Sequence, residues 1–320
     1  MRPQRVLVTG SSGCLGRPLA NRLAREGRTV VGLDIAGAND PVDFSPVTGD
    51  VADAQLLHRL FLHHGFDSVV HCGGISGQMV AAEDPYKNCQ VNVFGTVHLL
   101  EAARIHKVAR FIYSSSQGAY GVSARDAMTE ETALLPVTVY GATKAACDVI
   151  VRAYRLQHGL NATSLRIGRV YGPGRRTGSL ITTMMEAAVA GRPLRLPASG
   201  GRRLQYVYED DIVTALHLAL DAPDLPQPSY NVSGPGSHSD EEIATVIGAL
   251  VPGAAIAFEA GTLDDGSFPG APLDCSAAQR DFNYTPQFDL ERGLTAFLAN
   301  LQNRPGKEKR RDISSFGTVS

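Results

Sequence analysis

From residue 5 to about residue 168 the chain alternates short apolar runs with longer stretches in which apolar residues recur at helical spacing. A short run such as "RVLVTG" fits a strand buried on both faces, and a longer stretch such as "LGRPLANRLAREG", closed by Gly27, fits a helix with one apolar side. "RTVVGLD" then reads as a second strand. The rhythm returns in "DAQLLHRLFLHHG" and "FDSVVHC", in "VNVFGTVHLLEAARIH" and "VARFIYSSS", and in "YGATKAACDVIVRAYRLQHG" and "LNATSLRI". Parallel strands need crossover connections, and helices supply them, so the pattern predicts an α/β fold: a Rossmann-type doubly wound parallel sheet over residues 1–170. Ligands of such sheets lie beyond the carboxyl ends of the strands. After "VYGPG" the texture changes to frequent Gly and Pro, isolated helical patterns and short strand candidates. Residues 171–302 therefore read as a smaller substrate-binding lobe, with some segments returning to the first domain. Residues 258–274 read as a mobile loop and 303–320 as a disordered tail.

Charge narrows the partners. Thirty Lys plus Arg against 32 Asp plus Glu leave a formal charge of −2, and the one dense charged run is "KEKRR" near the end. Nucleic acid and anionic membrane are not expected. The first strand begins too early for a signal peptide, and no apolar run approaches the roughly 20 residues that span a bilayer. A cytoplasmic protein is the expectation. Five cysteines (Cys14, Cys72, Cys89, Cys147, Cys275) without a C-x-x-C suit scattered thiols. His58, His63 and His64 do not converge on one helix face, so no metal is expected.

Two clusters carry candidate chemistry. "VLVTGSSGCLGRPLA" places Gly10, Gly13 and Gly16 between the first strand and the first helix, where glycines permit a tight turn and aim the helix N-terminus at a pyrophosphate. Asp34 ends the second strand, where a carboxylate accepts hydrogen bonds from a ribose and repels a 2′-phosphate, so NAD is expected over NADP. "YGATK" puts Tyr140 and Lys144 four residues apart, hence on one helix face, although the chain has five lysines against 25 arginines. A free tyrosine titrates near about 10, and a neighbouring cation favours its phenolate, a base able to take a proton from an alcohol while hydride leaves the carbon. The strand before this helix ends in three serines, one of which can hydrogen-bond the reacting oxygen.

With these motifs in order, the chain resembles an extended short-chain dehydrogenase/reductase of the NAD-dependent epimerase/dehydratase superfamily over roughly residues 5 to 302. "TGSSGCLG", "GDVAD", "HCGGIS", "NVFGT", "YSSSQGAYG", "YGATK", "LRIGRVYGPG", "QYVYEDD" and "LDCSAAQRDFNYTPQFDLERGL" carry the likeness. The resemblance implies Ser116 as the catalytic hydroxyl, Tyr140 as acid/base, and Lys144 as the cation that favours phenolate and binds the ribose. It implies NAD contacts from Gly10, Ser12, Gly13, Cys14, Leu15, Gly16, Asp34, Asp50, Val51, Cys72, Gly73, Gly74, Asn92, Ser114, Tyr140, Lys144 and Ile167. It also implies a homodimer through the helices at about 86–106 and 140–158, whose apolar residues extend beyond one stripe.

The family's 4,6-dehydratases carry an Asp-Glu pair after the catalytic hydroxyl; Gln117 and Gly118 stand here, which argues against dehydration. Its nucleotide-sugar epimerases carry an asparagine before "VYGP" and an arginine near the diphosphate; Arg169 and Leu204 stand at those places. Arg169, Arg175, Arg176 or Arg203 offers a guanidinium for a phosphate or a carboxylate, although a solvated loop is the simpler reading of the middle two. "HCGGIS" with Ser76, and "RIG", resemble uronate dehydrogenases. The substrate contacts expected are Ser76, Ser116, Gln117 and Arg169. The sequence is read as an NAD-dependent dehydrogenase of a free sugar or sugar acid, with a nucleotide-sugar epimerase as the alternative and a non-catalytic NAD-binding sensor as a third reading.

Overall fold

A computed structural model describes residues 4–38, 40–77, 83–122, 126–175, 177–198, 200–261 and 271–303. Residues 304–320 of the tail read over 303–320, the central part (262–270) of the loop read over 258–274, and Arg176 lie outside them.

The first half runs β1 (Arg5–Thr9), α1 (Gly16–Arg25), β2 (Thr29–Asp34), β3 (Ser45–Thr48), α2 (Ala54–His64), β4 (Ser68–His71) and α3 (Pro85–Cys89). A turn of π-helix (Gln90–Phe94) joins α3 to α4 (Gly95–Ile105) and is followed by β5 (Arg110–Ser116), a 3₁₀ turn (Gln117–Ala119), α5 (Val139–His158) and β6 (Ala162–Ile167). The second half contains β7 (Arg169–Tyr171), α6 (Leu180–Val189), β8 (Leu194–Pro197), β9 (Arg203–Tyr208), α7 (Glu209–Asp221) and β10 (Ser229–Val232). It ends with β11 (Ser237–Ser239), α8 (Asp240–Leu250), β12 (Ile256–Glu259), α9 (Ser276–Phe282) and α10 (Leu290–Gln302).

Seven parallel strands form the main sheet in the order β3-β2-β1-β4-β5-β6-β10. The direction of winding reverses between β1 and β4, which opens a crevice at their carboxyl ends. Alternation along β1 decides the two faces: Val6 and Val8 join Leu19, Leu23, Leu165 and Leu216 on one side, and Leu7 joins Leu57, Phe61, Leu99, Phe111 and Val151 on the other. A further core forms around Tyr171, Ile181, Met184, Ile247, Leu294 and Phe297, from the second half of the chain. Chain from the second half also joins the main sheet: β10 closes it and α7 packs on α1. The short strand β3 escapes the apolar-run reading because "SPVT" has one apolar side chain besides Pro46, a composition tolerated at an edge.

Local signals set the ends of the helices that carry the site. The Asp53 carboxylate accepts the Leu56 N–H at the start of α2 (2.9 Å), and Thr138 accepts the Gly141 N–H at the start of α5 (3.0 Å). Gly65 and Gly159 end the same helices in the left-handed region (φ 57° and 65°). Among the described residues no helix is long and apolar enough to cross a membrane.

Candidate active site

Every strand of the parallel sheet that precedes a candidate segment delivers it at the same edge. The glycine turn follows β1, Asp34 ends β2, Asp50 and Val51 follow β3, and Cys72 to Gly74 follow β4. Ser114 and Ser116 close β5, and Ile167 closes β6 beside Ser116 in register.

The glycine turn is packed backbone on backbone. Gly10 has φ 69°, and a β-carbon there would meet the Cys72 carbonyl carbon and the Gly73 nitrogen at 2.7 Å; one on Gly16 would collide with the Gly10 carbonyl. The turn is tied to β2 through Asp34, whose two oxygens accept the Ser12 and Ala36 N–H groups at 2.9 Å each. Each oxygen retains a lone pair, so the carboxylate can still accept ribose hydroxyls. The turn and the acid together fit a dinucleotide, with the pyrophosphate on the N-terminal N–H groups of α1 and the adenosine ribose at Asp34.

The three catalytic candidates converge. Lys144 is buried on α5, and its Nζ donates to the Ser114 carbonyl (2.8 Å) and lies 4.9 Å from the Tyr113 ring centre. Half-buried Tyr140 stands one turn earlier on the same helix. Ser116 Oγ accepts the Gly118 N–H (3.1 Å), which leaves its own proton to donate. A β-carbon on Gly118 would lie 3.5 Å from Ser116 Oγ and 3.6 Å from Tyr140 Cε1, so the hydroxyl and the phenol ring flank one point of backbone. The helix approaches this closely because Gly141 rests on the Gly118 carbonyl.

Asn92, expected at the cofactor, is buried as a clamp. Its Oδ1 accepts the Ile75 N–H (2.8 Å), and its Nδ2 reaches Ile75 O and Thr143 Oγ1 (3.1 Å each), which joins the loop after β4 to α5. The π turn places it there.

A second clamp was not legible in the sequence. Thr96 Oγ1 donates to Asn92 O (2.6 Å) and so accepts from His71 Nε2 (3.1 Å); His71 Nδ1 then accepts from Thr9 Oγ1 (2.7 Å), which itself accepts the Gly73 N–H (3.1 Å). This chain of donors assigns His71 the neutral Nε2–H tautomer. Burial, aided by the Lys144 charge, pushes its pKa down to about 3. A histidine ending the apolar run "SVVH" was the one signal available.

The substrate candidates are less concentrated. Ser76 is exposed, Gln117 is half-buried in the 3₁₀ turn, and Arg169 opens β7 opposite Tyr206. Arg175 differs from the solvated reading: it is half-buried, and its guanidinium donates to Val170 O and Thr177 Oγ1. Leu204 is buried in β9, while neighbouring Arg203 is exposed and paired with Glu242.

Residues 6–233 match the family described as "NAD dependent epimerase/dehydratase family". The chain belongs to that family. NAD is accordingly its cofactor. Among the family's members, a UDP-glucose 4-epimerase of Mycolicibacterium smegmatis is 29% identical over 313 residues, covering 94% of this chain and 99% of the relative. The Thermus thermophilus UDP-glucose 4-epimerase, solved with NAD, superposes with a TM-score of 0.84 at 27% identity, covering 93% of this chain and 99% of that one. A partial-consensus L-threonine 3-dehydrogenase superposes with a TM-score of 0.85 at 25% identity, covering 93% and 99%. An epimerase and a dehydrogenase thus share one frame with this chain.

Proposed function

We propose that the protein is an NAD-dependent nucleotide-sugar epimerase that oxidises one secondary alcohol of a UDP- or GDP-sugar and reduces the ketone from the opposite face. The observation that carries this reading is the end-to-end likeness to a UDP-glucose 4-epimerase, combined with Ser116, Tyr140 and Lys144 at the mouth of the cofactor crevice. It reverses the order of preference set by the sequence alone.

NAD supplies the hydride acceptor and later the donor. Tyr140 takes the proton of the sugar hydroxyl as the C–H hydride departs, and returns it when hydride comes back to the ketone. Ser116 donates its proton to the same oxygen throughout. Lys144, anchored on Ser114 O, offers positive charge beside the phenol. Gln117 and Gly118 supply no ionisable group for elimination of water, so the ketone is returned to an alcohol rather than dehydrated.

One observation favours the second reading, a dehydrogenase of a free sugar or sugar acid. A buried leucine at position 204 offers no charge to a diphosphate, and Arg203 beside it is engaged by Glu242. The two readings part in one assay, in which the purified protein is given UDP- and GDP-sugars and, separately, free aldoses, uronates and aldonates with NAD. Inverted nucleotide sugar without net NADH is expected. NADH accumulation with a free sugar or sugar acid, and no inversion, would move the assignment to the dehydrogenase. Tight NAD binding without turnover on any substrate would favour the sensor.

We also propose that two copies pair through α4 and α5. Phe94 (56% exposed), Val149 (60%) and Leu156 (70%) lie at or on these helices, and exposed apolar side chains of this kind favour burial against a second copy. Light scattering at micromolar concentration is expected to give twice the chain mass, and Phe94→Asp with Leu156→Asp to halve it.

A further inference from the structure

The loop between β7 and α6 passes over the glycine turn, and a carboxylate from another element holds it there. Glu209, the first residue of α7, is buried, and both its oxygens accept the Gly174 N–H, at 2.9 and 3.0 Å. The loop curls round this carboxylate. Gly172 has φ 148°, and a β-carbon on it would stand 2.5 Å from Glu209 Cδ; one on Gly174 would stand 2.9 Å from Glu209 Oε2 and 3.1 Å from Cys14 Cβ. "GPG" is therefore the sequence that lets a strap close around a buried acid while its far side rests on Cys14. The acid is favoured at the start of α7 by the helix dipole, so its charge is already stabilised before any cofactor is present. Cys14 senses the same neighbours: burial pushes its thiol up to about 11, Glu209 adds to the rise and Arg175 opposes it.

We propose that Glu209 is the latch that holds the Gly172–Gly174 strap against the glycine turn and so sets how long NAD stays bound. The inference rests on NAD being held at that turn. Its consequence bears on the reaction, because an epimerase keeps its cofactor through the ketone and a dehydrogenase must exchange it. Glu209 is a positioning residue here: it acts on the cofactor through the strap.

The test compares wild type with Glu209→Gln, which keeps the shape but not the charge. N-ethylmaleimide labelling of Cys14 is followed by peptide mapping in protein stripped of NAD, and NADH release is followed by stopped-flow fluorescence. Opening of the strap is expected to speed Cys14 labelling and NADH release about tenfold each. Gly174→Ala, which crowds the carboxylate and Cys14, is expected to do the same and serves if Glu209→Gln fails to fold. Unchanged Cys14 labelling in a folded variant would overturn the latch. Faster labelling with unchanged NADH release would overturn its link to the cofactor. Failure of wild type to bind NADH would instead refute the cofactor reading, and the labelling result would still report on the strap.

Discussion

Tyr140→Phe is expected to lower kcat by about 10²–10⁴-fold while leaving the fold and NADH binding nearly unchanged. The loss corresponds to about 3–5 kcal/mol of transition-state stabilisation. The substitution removes the phenol oxygen alone. The ring, whose edge would lie within 3.7 Å of a β-carbon on Gly118, keeps its packing, and Lys144 keeps its bond to Ser114 O. Rates are to be measured on whichever substrate the assay identifies, with NADH affinity measured in parallel. A kcat within a few-fold of wild type would remove Tyr140 from the role of base and with it the mechanism. A matching fall in NADH affinity would assign the tyrosine to cofactor binding and leave proton transfer to another group.

The parallel sheet could be read because its strands are buried on both faces and its helices on one, so each leaves its own period in the sequence. Glycines at 10, 13 and 16 were legible because backbone packed on backbone leaves no choice of residue. Tyr140 and Lys144 were legible because helical spacing fixes their common face. Edge strand β3 left no such mark, since an edge tolerates proline and polar residues. The clamp made by Asn92 was not legible for a different reason: it comes from contacts between residues 17 and 51 positions apart, and spacing in the sequence does not encode those. The same holds for His71 with Thr9 and Thr96, and for Glu209 with Gly174. Substrate choice was the least legible. Leu204 and Arg169 can be recognised as departures from an epimerase pattern, but what a pocket accepts depends on which charges its neighbours have already taken, as Glu242 takes Arg203.

Arg166→Leu is expected to be the most destabilising single change, at about 3–5 kcal/mol, because it leaves a buried carboxylate without its counter-ion. Arg166 Nε donates to Asp148 Oδ2 (2.9 Å), and both side chains are almost fully enclosed (9% and 2% exposed). Burial opposes the guanidinium charge, yet Asp148 and Tyr120 outweigh it and hold the pKa above the ordinary arginine value. Replacing both partners, as in Arg166→Leu with Asp148→Leu, removes the stranded charge as well, so the double variant is expected to recover part of the loss. Urea unfolding of the two single variants and the double variant measures this; additive single effects would show that the pair is not coupled. The network reaches further than its ion pair. Asp148, one turn beyond Lys144, also accepts from Ser115 Oγ (2.9 Å), next to Ser116. Arg166 Nη1 donates to Tyr120 Oη and Glu130 O (2.9 Å each), and Asn231, on β10, accepts from Tyr120 and donates through Nδ2 to Met128 O and Asp274 O. One buried guanidinium therefore fixes α5, the end of β5 and the segments at 128–130 and 274 relative to one another. For that reason the double variant should regain stability without regaining full kcat: apolar side chains can fill the space, but they cannot hold those carbonyls and hydroxyls in place.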